Sequence, residues 1–141
     1  MRASVAILYD ASAASGRPDS SDTLIEARAI AAALAELGYD SVELPVTLDL
    51  GALERALGER RPTLAFNLVE SLAGRGQLLS AVPALLDSLG VPYTGCSAQS
   101  LAVTSDKALS KGLLLRAGLP APSLYANGAL GRWIVKSVFE H

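Results

Sequence analysis

The feature that most constrains the fold is a repeated alternation. Short apolar runs of strand length are each followed by a helix-length segment and a stop. Val5 to Leu8 is a continuous apolar run, the mark of a strand buried on both faces. A polar loop, Ala11 to Ser21, separates it from a helix carrying Leu24, Ile25, Ala29, Ala32, Ala33 and Leu37 as its apolar stripe. Thr23 and Glu26 have the spacing of a capping box, competing with Ser20, Ser21 and Asp22 for the start, and Gly38 stops the helix. The pattern then repeats. A strand over Ser41 to Val46 leads to a helix capped by Asp49, with Leu50, Leu53 and Leu57 together and Gly58 at its end. A strand over Thr63 to Leu68 leads to a helix within Gln77 to Leu89, which starts near Ser80 or kinks at Pro83. Gly90 ends that helix and Val91-Pro92-Tyr93 opens a fourth strand. Strands alternating with helices in this way imply a parallel α/β sheet with right-handed crossovers.

Beyond Tyr93 the alternation stops. Two helical segments follow in succession, Ser97 to Val103 and Asp106 to Ala117, the second with Leu109 and Leu113 at core spacing. Asn127-Gly128 is a tight-turn signal, and Trp133 to Val138 reads as a strand. A helix pair followed by a hairpin does not extend a parallel sheet, which places a domain boundary near Gly95.

Composition excludes several classes. The net charge of −2 comes without a run of Lys or Arg, which argues against nucleic acid or an anionic membrane as partner. No apolar run approaches the ~20 residues of a membrane span. The N-terminal run fits a first buried strand better than a signal peptide. One cysteine, Cys96, fits a reducing cytoplasm and excludes an internal disulfide. The one histidine, His141, is the last residue, so neither a Cys-His nucleophile pair nor a zinc site is supported.

Candidate functional residues follow from position. Asn67 to Gly76 lies after a strand, where parallel sheets bind ligands, and carries Asn67, Glu70, Ser71 and Arg75. Lys107 opens a helix with Ser105 as a good N-cap and Asp106 beside it, and a bound phosphate would explain a cation there. Lys136 sits in the last predicted strand among apolar neighbours, a costly place unless it reaches water or an anion. Lys111, one turn past Lys107, reads as a surface residue.

Three stretches carry a resemblance: Tyr93-Thr-Gly-Cys-Ser-Ala-Gln-Ser-Leu-Ala-Val-Thr-Ser-Asp-Lys-Ala-Leu-Ser-Lys111, Gly118-Leu-Pro-Ala-Pro122 and Trp133-Ile-Val-Lys136. With Phe66-Asn-Leu-Val-Glu-Ser-Leu-Ala-Gly-Arg-Gly76 and the opening strand, they resemble the D-alanine–D-alanine ligases of the ATP-grasp superfamily. The resemblance implies a Rossmann-like pre-ATP-grasp domain over residues 1–94 and the opening part of an α+β ATP-grasp central domain over 95–141. It implies that Lys107 and Lys136 approach ATP phosphates and that Glu140 begins the loop covering them. It also implies that the loop with Asn67, Glu70 and Arg75 borders the amino-acid or small-carboxylate substrate. The family's acylphosphate chemistry uses ATP and Mg2+, and its metal ligands, its adenine pocket and much of its catalytic machinery would lie beyond His141. The chain alone is therefore expected to be inactive, and a homodimer is expected as in the family. One departure bears on substrate identity: many of these ligases have His-Gly where this chain has Asn67-Leu68. Another concerns the end of the first strand, where they place a glutamate against an ammonium group. Asp10, Asp19 and Asp22 lie near that point without matching the motif.

Two other readings remain. A non-catalytic dimerisation or small-molecule-binding module derived from such a ligase would not need the two lysines. An unrelated flavodoxin-like domain would carry one continuous sheet through Val138.

Overall fold

The computed structural model describes residues 3–12, 18–122 and 130–139. Three parallel strands form the sheet: β1 (Ser4–Asp10), β2 (Asp40–Val46) and β3 (Leu64–Asn67), in the order β2-β1-β3. The register sets Val5 opposite Ser41 on one side and Leu64 on the other. Strand β1 is central, and every residue from Val5 to Asp10 is buried. The predicted fourth strand shrinks to a single parallel bridge between Tyr93 and Ala65, closed by Ala65 N–H to the Pro92 carbonyl and Thr94 N–H to the Ala65 carbonyl.

The helices are α1 (Pro18–Glu36), α2 (Leu50–Arg60), α3 (Ala81–Leu89), α4 (Ala98–Thr104) and α5 (Lys107–Arg116). Chain direction across the sheet dictates where they sit. The step from β1 to β2 runs one way; the steps from β2 to β3 and on to Tyr93 run the other. Right-handed crossovers then put α1 on one face and α2 and α3 on the opposite face. The core divides accordingly. Ile7 and Tyr9 pack with Ala27, Leu34 and Phe66 on the α1 side. Ala6 and Leu8 pack with Leu53, Leu57, Val82 and Leu86 on the α2 and α3 side. The two-residue period of β1 feeds both layers.

Several sequence expectations need correction. Helix α1 starts at Pro18, a favoured first-turn residue, so Thr23 and Glu26 lie inside it rather than forming a capping box. Its buried face is Leu24, Ala27, Ile30, Ala31 and Leu34, whereas Ile25 and Leu37 are exposed. In so alanine-rich a helix several stripes look alike, and periodicity alone does not choose between them. Helix α2 runs past Gly58 to Arg60, and Arg61 takes the left-handed cap at φ 47°, donating its N–H to the Leu57 carbonyl. Gly90 ends α3 at φ 65° as anticipated. The α5 leucines are exposed rather than core, Leu109 at 46% and Leu113 at 45%. Residues 132–137 do not pair as a strand, and Ile134 and Val135 face solvent at 82% and 96%. A strand needs a ladder partner, and none of the described residues supplies one. The predicted Asn127-Gly128 turn lies outside the described residues.

Candidate functional site

Ligands of open parallel sheets bind beyond the carboxyl ends of the strands, where the chain leaves neighbouring strands in opposite directions. Here that point lies between β1 and β3. The loop after β3 is strongly built. Leu68 N–H donates to the Leu8 carbonyl at 2.8 Å, and Asn67 Oδ1 accepts the Val69 N–H at 3.3 Å. The Asn67 N–H donates to Thr94 Oγ1 at 3.1 Å, tying the loop to the segment after the bridge. Leu72 and Arg75 exchange backbone hydrogen bonds across Ala73 and Gly74, whose φ of 53° and 73° make a mirror-type tight turn. Asp10, buried at the end of β1, accepts from Ser71 Oγ at 2.6 Å, Ser12 N–H at 2.9 Å and Gly74 N–H at 3.4 Å. Burial works to raise the Asp10 carboxyl, but the bonds from Ser71, Ser12 and Gly74 together outweigh it and hold it below its ordinary 3.8.

Two cavities flank this framework. One, of about 270 Å³, is lined by Asn67 and Glu70 from the β3 loop, Gly95 and Cys96 from the next turn, and Thr104 and Ser105 at the end of α4. Two of the three predicted substrate residues thus meet, and Arg75 does not line this cavity. Its backbone closes the tight turn instead. The sequence offered no reason to join Thr104 and Ser105 to this group. Ser105 is the buried C-cap of α4, donating to the Leu101 carbonyl at 2.6 Å, and not the N-cap of α5.

The other cavity, of about 620 Å³, brings Lys107 and Lys136 together and adds Lys111, Arg132 and Trp133. Lys111, the surface residue one helical turn past Lys107, shares its face and so lines the same cavity. Four cations around one cavity suit a polyanion such as a chain of phosphates. The amides that open α5 do not contribute, contrary to the expectation of an anion site at that helix end. Asp106 Oδ1 accepts the N–H groups of Ala108 and Leu109 at 2.9 Å each, and the Val138 carbonyl accepts that of Lys107 at 3.2 Å. Lys107 Nζ also donates to the Val138 carbonyl, at 3.3 Å. Glu140 lies outside the described residues. No carboxylate lines this cavity among the described residues, and no group of three or more His, Cys, Asp or Glu side chains there could hold a metal. The residues present fit ATP phosphates and do not fit Mg2+. No helix among the described residues is long and apolar enough to cross a membrane.

The chain is thus an α/β domain with a parallel sheet, a built loop at the carboxyl end of β3 and a separate cavity lined by four cations. No family model matches the chain. It is 37% identical over 98 residues to a D-alanine–D-alanine ligase of Acidiphilium cryptum, covering 70% of this chain and 31% of that protein. It is 35% identical over 98 residues to one from Moorella thermoacetica, covering 70% of this chain and 30% of that one. In fold it is similar to the crystal structure of a D-alanine–D-alanine ligase from Bacillus anthracis complexed with ATP. That likeness has a TM-score of 0.65 at 20% identity and covers 93% of this chain and 42% of the other. Over these 98 residues the chain is D-alanine–D-alanine ligase-like, and it spans about a third of the length of the curated relatives it matches.

Proposed function

We propose that this chain is the N-terminal part of an ATP-dependent carboxylate–amine ligase of the D-alanine–D-alanine type. Residues 1–94 form its pre-ATP-grasp domain and 95–141 the opening of the ATP-grasp domain. The observation that carries the reading is the convergence of Lys107, Lys136, Lys111 and Arg132 on one cavity. In such a reaction ATP phosphorylates one carboxylate to an acylphosphate. A second amino acid's amine then displaces phosphate, giving the amide. The share of this chain is electrostatic and positional. Lys107 and Lys136 neutralise the nucleotide's phosphates, with Lys111 and Arg132 adding to the field. Asn67 and Glu70 bind the amino-acid substrate, the Glu70 carboxylate facing its ammonium group, and Arg75 acts through the backbone turn it closes with Leu72. Mg2+ and the remaining catalytic groups belong to the rest of the ligase, so the 141 residues alone do not complete the reaction. The protein works in the cytoplasm as a homodimer.

The test is titration of the chain with a non-hydrolysable ATP analogue, beside Lys107→Ala and Lys136→Ala. Each substitution removes a cation from the phosphates and is expected to weaken binding roughly tenfold. Unchanged affinity in both would replace this reading with the non-catalytic module. The capped start of α5 is the observation favouring that second reading. ATP-dependent dipeptide formation by the isolated chain would refute its incompleteness.

A further inference from the structure

Asp10 is the one buried carboxylate among the described residues, and its bonds reach far along the chain. Ser71 is 61 residues away and Gly74 is 64. Both belong to the loop that carries Glu70. Val69 and Leu72 are buried on either side of Glu70 and Ser71, leaving Glu70 exposed between fixed points. We propose that Asp10 is a positioning residue for the amino-acid site: it pins the loop at Ser71 and Gly74 and so fixes Glu70 in the cavity shared with Asn67. This rests on the function proposed above. Asp10 does not itself bind substrate. Its Oδ1 takes the Ser12 amide and its Oδ2 takes two loop donors, so both oxygens are engaged within the chain.

Asp10→Asn tests the assignment because it keeps the shape and changes the donors. An amide has one acceptor oxygen, whereas the carboxylate accepts on both. If the Asn oxygen faces Ser12, its NH2 meets the Gly74 N–H, donor against donor. If it flips, the NH2 meets the Ser12 N–H. In the first orientation Ser71 Oγ can turn to accept from that NH2, but one backbone N–H loses its acceptor either way. Ser71→Ala removes the shortest loop contact without touching β1, and Ser71→Thr keeps the hydroxyl.

The experiment uses the loop's own protease site. Trypsin cleaves after Arg75, which is exposed at the end of the turn. In the 141-residue chain, cleavage at Arg75 should rise roughly tenfold in Asp10→Asn and Ser71→Ala, as the population of the open loop rises. Cleavage after Arg55 within α2 should not change, and Ser71→Thr should behave as wild type. A second arm titrates D-alanine and an ATP analogue separately. Asp10→Asn should weaken D-alanine roughly tenfold and leave the nucleotide within about twofold. Unchanged cleavage at Arg75 in both variants overturns the proposal. Faster cleavage at every site overturns it too, since Asp10 would then support the whole domain. If the wild-type chain binds no D-alanine, the ligase reading fails at that point, and the protease arm still decides whether Asp10 positions the loop.

Discussion

Gly76 lies against the backbone of Phe139, and Gly76→Ala is the substitution that tests what this contact holds. The residue opens a short 3-10 turn, Gly76–Leu78, directly after the β3 loop. A β-carbon added there would lie 2.5 Å from the carbonyl oxygen of Phe139 and 3.6 Å from its β-carbon. A methyl group needs at least 3.0 Å, so one backbone must withdraw by about half an ångström. Overpacking of this kind costs about 1–3 kcal/mol. The opposing hold is similar in size. Among the ties of the segment ending at Phe139 to α5 are hydrogen bonds to the Val138 carbonyl from Lys107 N–H and Lys107 Nζ. Each contributes about 0.5–1.5 kcal/mol. The loop side is held by Asp10 and by the Leu72–Arg75 turn, so the segment is the part that gives way.

The assay is built into the chain. Trp133 is the only tryptophan, it lies in that segment, and it lines the cationic cavity. It is 39% exposed, so release should shift its emission to the red and increase quenching by acrylamide. Lys136 leaves with it, and affinity for an ATP analogue should fall roughly tenfold. Gly58→Ala is the control, because nothing lies within 4 Å of the added carbon and the site is inside α2. It should stabilise the helix by up to about 1 kcal/mol and leave Trp133 unchanged. If Gly76→Ala keeps the wild-type emission and nucleotide affinity, the contact does not hold the segment and the reasoning fails.

Three further outcomes follow from single residues. The folded Asp10 carboxyl lies below its ordinary value, so its contribution to stability is complete above that value and is lost as pH falls through the folded one; urea midpoints should drop below about pH 4 more steeply in wild type than in Asp10→Asn. Arg61 holds a left-handed backbone that costs a non-glycine residue about 1–2 kcal/mol, so Arg61→Gly should raise the melting temperature by a few degrees unless its side chain has work to do. Asp106→Ala leaves the Ala108 and Leu109 amides uncapped and should cost about 1 kcal/mol in thermal unfolding; an unchanged melting temperature would mean that α5 is not capped as described.

Local chemistry marked the elements whose ends carry their own signals. Asp49 accepts the Ala52 amide at 2.9 Å as its place before an apolar stripe implied, and Gly90 closes α3. The buried run of β1 was legible because a strand covered on both faces has no polar alternation to confuse. What was missed needed a neighbour. The face of α1 is chosen by Ile7, Tyr9 and Phe66, not by its alanines. The strand expected at Trp133 has the right residues, but an isolated strand has nothing to bond to. Gly58 looked like a stop, yet the helix passes through it because the left-handed turn falls at Arg61, before Pro62.

The candidate site divides along the same line. Lys107 and Lys136 stood out because each was an awkward cation, one at the positive end of a helix and one in an apolar stretch. Misfit with local surroundings is readable from one position, and the two side chains it singles out line one cavity. Asp10 showed no such misfit, since an aspartate at the end of a strand is ordinary. Its importance lies in Ser71 and Gly74, brought to it by the pairing of β3 alongside β1. The pairing that builds the core therefore also builds the loop. A substitution in the sheet that shifts β3 should loosen the Glu70 side before it affects Lys107, because α5 packs chiefly against α4.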